Sequence, residues 1–153
     1  MNANLTTKER YLLEDQKTHE EICIQKYTNY ANMASDQQLK DIFNNHAKVE
    51  QEHLNTINQL LAGQIPTTNN QKQQPTTGAM PQNTFANSNV SDKDLCIDML
   101  ATEKYVSGTY DTAIFEFRDT QIRDILNHIQ KEEQKHGEAI FKYMESKGMY
   151  TTQ

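Results

Sequence analysis

The sequence predicts an all-α protein: a four-helix bundle built from two duplicated helical hairpins with a long crossover between them. Three observations carry this. Apolar residues recur at three-to-four spacing through two long segments rich in Ala, Leu, Glu, Gln and Lys. A polar, proline-bearing stretch separates those segments. The second segment also repeats the first at a fixed offset of 83 residues, so that Glu20 meets Glu103, Glu50 meets Glu133 and His53 meets His136.

Taken in order, the first helix is expected over about 8–34 and the second over about 37–61, with Asp36 at the break as a cap. The stretch 62–92, AGQIPTTNNQKQQPTTGAMPQNTFANSNVSD, holds all three prolines and almost no charge, and reads as a flexible crossover linker. A third helix follows over about 93–117 and a fourth over about 120–147, with Asp119 as cap and Gly148 as C-terminal stop. The chain is thus read as one domain, 1–153, made of a first hairpin 8–61, the linker 62–92 and a second hairpin 93–148. A linker of about thirty residues can run the length of helices about 35–40 Å long. It therefore allows the third helix to lie alongside the second in the same direction, where an up-down-up-down bundle would need only a short loop.

The repeat extends well beyond the acids. It pairs Leu12 with Leu95, Asp15 with Asp98, Tyr27 with Tyr110, Asp36 with Asp119, Ile42 with Ile125 and Gln51 with Gln134, all without a gap. Helical composition alone does not account for matches spread, without a gap, along the length of a hairpin.

Composition narrows the function. A formal charge of −6 with no Lys/Arg cluster argues against general nucleic-acid binding. No run is long and apolar enough to cross a membrane. The N-terminal MNANLTTKERYLLEDQ has no basic segment followed by an apolar one, so synthesis in the cytoplasm without a signal peptide is expected. Cys23 and Cys96 form neither a CxxC pair nor a disulfide framework, and both read as small apolar core residues, Cys23 one turn from Glu20.

The inward stripes carry the chemistry. They read Leu13, Glu20, Ile24, Tyr27, Ala31 on the first helix and Leu39, Ile42, Phe43, His46, Glu50, His53, Ile57, Leu60 on the second. The third gives Met99, Glu103, Val106, Tyr110, Ile114, Phe117, and the fourth Ile122, Ile125, Ile129, Glu133, His136, Ile140, Tyr143. Each is apolar at its ends and acidic or imidazole-bearing near its middle. A buried carboxylate is costly unless it is paired or bound to a cation, and four converging ones repel each other. Two divalent ions would balance their four charges. In Glu-x-x-His the residues i and i+3 share a helical face and can reach one ion. A glutamate from each of two helices, plus Glu-x-x-His from each of the other two, is the dinuclear carboxylate pattern. The metal-ligand candidates are therefore Glu20, Glu50, His53, Glu103, Glu133 and His136, with Glu20 and Glu103 bridging or terminal. The plainer alternative is a relic site, a hydrogen-bonded polar layer that holds no metal.

Other residues have more ordinary readings. Tyr27 and Tyr110 are either core tyrosines or hydrogen-bond partners of the ligand carboxylates. His46 is expected to be a packed core histidine, His19 and His128 solvated, and Glu132 exposed.

The stretch 92–150, through DKDLCIDMLATEKY, YDTAI, EEQKH and YMESKGMY, resembles the Coat F family of spore coat proteins. The four helices together resemble the ferritin-like superfamily, including rubrerythrins and manganese catalases. The first resemblance implies a product of sporulation, located in the spore coat among other coat proteins. The second implies a ferritin-like fold and two Fe or Mn ions held by the six candidates, with Tyr27 and Tyr110 close by. The chain departs from rubrerythrins in carrying Val106 where they have a further carboxylate. Two functions follow as expectations: a spore coat component of this fold binding a dinuclear centre, or a peroxide- or oxygen-consuming di-metal oxidoreductase. No catalytic residue is assigned. A homodimer is the default assembly, because small bundles pair through a helix face.

Overall fold

Side-chain caps set where the helices start. Thr6 accepts from the Glu9 amide at 3.1 Å while the Glu9 carboxylate accepts from the Thr6 amide at 2.7 Å, a reciprocal box. Asp36, Ser91 and Asp119 accept from the amides of Gln38, Asp94 and Gln121. The structure, a computed structural model, describes residues 2–67 and 90–153. It is all-helical, with α1 (Thr7–Met33), α2 (Gln37–Leu61), α3 (Asp92–Glu116) and α4 (Thr120–Ser146). Among the described residues the only β pairing is a single bridge between Asn2 and Gln64. Most of the predicted crossover, 68–89, lies outside the described residues.

The boundaries fall within a residue of expectation, and the differences at the C-terminal ends have one cause. Ala34, Phe117 and Lys147, expected as last helical residues, are C-caps whose backbones have left helical geometry. Gly148 follows at φ +69°, a conformation that favours a residue without Cβ, and so closes α4.

α1 packs against α2 and α3, and α4 against α3 and α2. Tyr30 bonds Asp98 toward one end and Gln16 accepts from Thr109 toward the other, so α1 and α3 are antiparallel. α2 and α3 therefore point the same way, as expected from the crossover. They are not neighbours, however: they face each other across the diagonal, and α3 lies alongside α1. The reason is the second flank of α1, where Gln16, Lys26, Tyr27 and Tyr30 all bond side chains of α3.

Two apolar clusters fill the interior. One holds Leu13, Ile57, Leu60, Ile122, Leu126 and Ile129. The other holds Leu39, Phe43, Leu95, Met99, Ile140 and Met144. Each fully buried aliphatic side chain stabilises by about 1.5–3 kcal/mol, so these clusters drive the folding. Ile42, Ile114 and Ile125, placed on the inward stripes by spacing, are half-buried at the flanks. Polar locks close both ends. Asp92 accepts from the Ser35 and Asp36 amides at 2.8 and 3.0 Å, and Tyr143 donates to Asp36 at 2.7 Å. At the other end the Arg118 amide and guanidinium donate to buried Glu9.

The outer faces differ. Every described large apolar side chain exposed within a helix lies on α1 or α3: Tyr11, Ile22, Ile97, Tyr105 and Phe115. α2 and α4 expose none among the described residues.

Candidate metal centre

Between the two apolar clusters lies a charged layer. All six candidates meet there: Glu20 from α1, Glu50 and His53 from α2, Glu103 from α3, Glu133 and His136 from α4. All are buried, Glu20, Glu50 and Glu133 completely. The Glu-x-x-His spacing acts as expected, placing glutamate and histidine on the inner face of one helix.

The donor atoms fall into two overlapping sets. Glu20, Glu50, His53 and Glu133 bring one atom each to within 4.8 Å of one another, and so do Glu50, Glu103, Glu133 and His136. Glu50 and Glu133 belong to both sets, whereas Glu20 and Glu103 belong to one each. His53 Nδ1 lies 2.8 Å from Glu133 Oε1 and 3.2 Å from Glu50 Oε2, and His136 Nδ1 lies 2.9 Å from Glu50 Oε1. Yet Glu20 Oε2, Glu103 Oε2 and both Glu133 oxygens have no hydrogen-bond donor. The His53–Glu133 approach is close but lacks hydrogen-bond alignment.

Tyr27 and Tyr110 do more than pack. The Tyr110 hydroxyl donates to Glu20 Oε1 at 2.5 Å, and the Tyr27 hydroxyl donates to Glu103 Oε1. Each tyrosine thus serves the glutamate of the other hairpin. Burial and the facing carboxylate push both phenols well above their ordinary pKa, so both remain donors.

Proton distribution follows the same symmetry. Burial raises the Glu50 and Glu133 carboxyls well above the usual range, helped by their neighbours Glu20 and Glu103. Burial also acts on Glu20 and Glu103, but the neighbouring carboxyl, the histidine and the tyrosine together outweigh it and hold both below that range. Burial disfavours the charged form of His53, yet Glu133, Glu20 and Glu50 overcome this and raise its pKa well above ordinary imidazole. Carboxyls this close do not all ionise together.

His46 is the packed core histidine expected. It stacks on His136 at 4.0 Å and meets Tyr27 edge-on at 5.0 Å. Burial, then His136, drop its pKa to about 3, so it is neutral. Cys23 and Cys96 are both buried thiols. His128 is exposed, as expected, but His19 is not solvated: it is half-buried, edge-on to Tyr105 at 5.5 Å and 3.3 Å from the Thr109 hydroxyl. Its place on the α1 flank that meets α3 accounts for the difference. Glu132 is half-buried rather than exposed, 3.5 Å from His128 and 3.7 Å from Lys135.

Sequence reasoning missed buried Glu9 and Gln16. Both lie on the α1 stripe with Leu13 and Glu20, so the helical period alone could have found them.

Residues 91–153 match the model of the Coat F domain. The match spans α3 and α4, the helices that bear Glu103, Glu133 and His136. None of the curated proteins matches the chain. No helix of the described residues is long and apolar enough to cross a membrane.

Proposed function

We propose that this is a spore coat protein of ferritin-like fold whose core binds a dinuclear iron or manganese centre. The coat assignment rests on the Coat F segment. The metal assignment rests on one observation: four buried glutamates converge, and three of them, Glu20, Glu103 and Glu133, keep carboxylate oxygens that no donor of the chain satisfies. Buried polar atoms are rarely left in that state.

The residues fit such a centre. Glu20 and His53 would hold one ion and Glu103 and His136 the other, with Glu50 and Glu133 shared. Four carboxylates match the charge of two divalent ions, and the mixed oxygen and imidazole set suits iron or manganese. When bound, the metals would supply Lewis-acid and redox chemistry toward oxygen species. The chain's part is to release the protons held on Glu50 and Glu133, to orient Glu20 and Glu103 through Tyr110 and Tyr27, and to exclude water. A peroxide- or oxygen-consuming activity is the second reading, favoured by those unsatisfied oxygens. A purely structural coat component with a relic site is the third. Self-association as a homodimer and contact with other coat proteins belong to the same proposal, supported by the exposed Tyr11 and Phe115, the latter 84% accessible.

The test is metal content by plasma mass spectrometry, on protein purified without chelator or nickel. Wild type should carry about two iron or manganese ions per chain, and Glu50→Ala/Glu133→Ala none. Metal-free wild type that also refuses added Fe²⁺ and Mn²⁺ leaves the structural reading.

A further inference from the structure

A species that reacts at a buried centre must reach it. Between α1 and α3 the surface opens into a cleft of about 300 Å³. Its rim carries Ala101 and Tyr105, with Lys26 held by Asp98 and Thr102 at 2.9 Å each. Its floor is Cys23 and Val106, both buried. Cys23 follows Glu20 by one turn and Val106 follows Glu103 by one turn, so the floor adjoins the carboxylate layer on both helices. Burial first, then all four central glutamates, raise the Cys23 thiol, consistent with its place against them.

Resting on the dinuclear reading above, we infer that this cleft admits a small uncharged oxidant, dioxygen or hydrogen peroxide, across a threshold formed by Cys23 and Val106. The chemistry of the passage decides the class. A thiol and an isopropyl group cannot replace the hydration shell of an ion, and the Lys26 ammonium at the rim is already neutralised by Asp98. The rival approach is a hollow over α1 and α2, floored by Ile24 and Ala47 with Asp41, Asn45 and Lys48 on its walls. Those walls suit hydrated species.

The test uses the metal-free full chain with labelled methyl groups and dissolved dioxygen under pressure as the probe. Paramagnetic relaxation by oxygen should be several-fold greater at the Val106 methyls than at those of Leu126, which is equally enclosed, or of Ile24. Ala101→Trp, on the exposed rim, should bring Val106 down to the Leu126 level while the melting temperature stays unchanged. Relaxation at Val106 no greater than at Leu126, greater relaxation at Ile24, or indifference to Ala101→Trp would each overturn the inference. Metal content of the same samples separates the two claims. Protein that binds about two ions but shows no Val106 effect loses the cleft alone. Protein that shows the effect but refuses metal loses the centre.

Discussion

Glu9 and Glu133 are both buried carboxylates, yet the chain treats them in opposite ways. Glu9 accepts from the Thr6 amide, the Arg118 amide and the Arg118 guanidinium, so both its oxygens are engaged. Glu133 is fully buried with no donor on either oxygen. Burial pushes both carboxyls upward, but the donors around Glu9 reverse the shift and leave it lowered, while Glu133 stays well above the ordinary range. A buried acid that the chain completes is part of the scaffold. One that the chain leaves incomplete lacks a partner of its own.

The largest expected effect lies at the incomplete acid. With Mn²⁺ or Fe²⁺ a thousandfold above its dissociation constant, wild type should gain about 4 kcal/mol of stability. Glu133→Gln should abolish that gain in a thermal melt, while Glu9→Gln retains it. A Glu133→Gln protein stabilised as strongly as wild type would erase the distinction between the two acids. Next, Glu9→Ala should cost about 1–3 kcal/mol in urea at neutral pH, because the Arg118 donors lose their partner. Its metal content should not change, and a loss of metal would join two sites held here to be separate.

The pH dependence sharpens the contrast through its sign. Glu9, with a lowered folded pKa, contributes stability above the ordinary carboxylate range and loses it as pH falls through the lowered value. Glu50 and Glu133 have raised folded pKa values, so the metal-free native state keeps protons that the unfolded chain gives up. Their contribution is fully present below the ordinary range and is lost as pH rises, by up to about 1.4 kcal/mol per pH unit for each group. His53 acts in the same sense, its contribution fading as pH rises through its raised value. Urea titrations of metal-free Glu133→Gln should show a shallower alkaline decline than wild type, and an unchanged slope would contradict the raised carboxyl. Smallest, Tyr110→Phe and Tyr27→Phe should each cost about 1 kcal/mol, and by similar amounts. Clearly unequal losses would mean that the two hydroxyls do not play matching parts.

Much of this was legible in the sequence. Asp36, Asp119 and Gly148 marked helix ends because caps act locally, and the helical period put the six central residues on inner faces. What is shared across helices was not legible. Spacing shows that Glu133 and His136 sit on one helix, but not that Glu50 and Glu133 rather than Glu20 and Glu103 would be common to both donor sets. Tyr27 lies two turns from Glu20 in sequence, yet it bonds Glu103, because α1 and α3 run antiparallel and slide that pair into register. The partner of Glu9 is likewise far along the chain, at Arg118, where no local pattern points to it. The position of α3 beside α1 rather than α2 depends on those same distant contacts.

The exchanged tyrosines tie the two hairpins together. A substitution at Tyr27 is felt at Glu103, and one at Tyr110 at Glu20, so each hairpin carries one half of both pairs. A hairpin on its own would present a phenol with no acid to receive it and an acid with no phenol to steady it. Only the two hairpins together make both pairs complete.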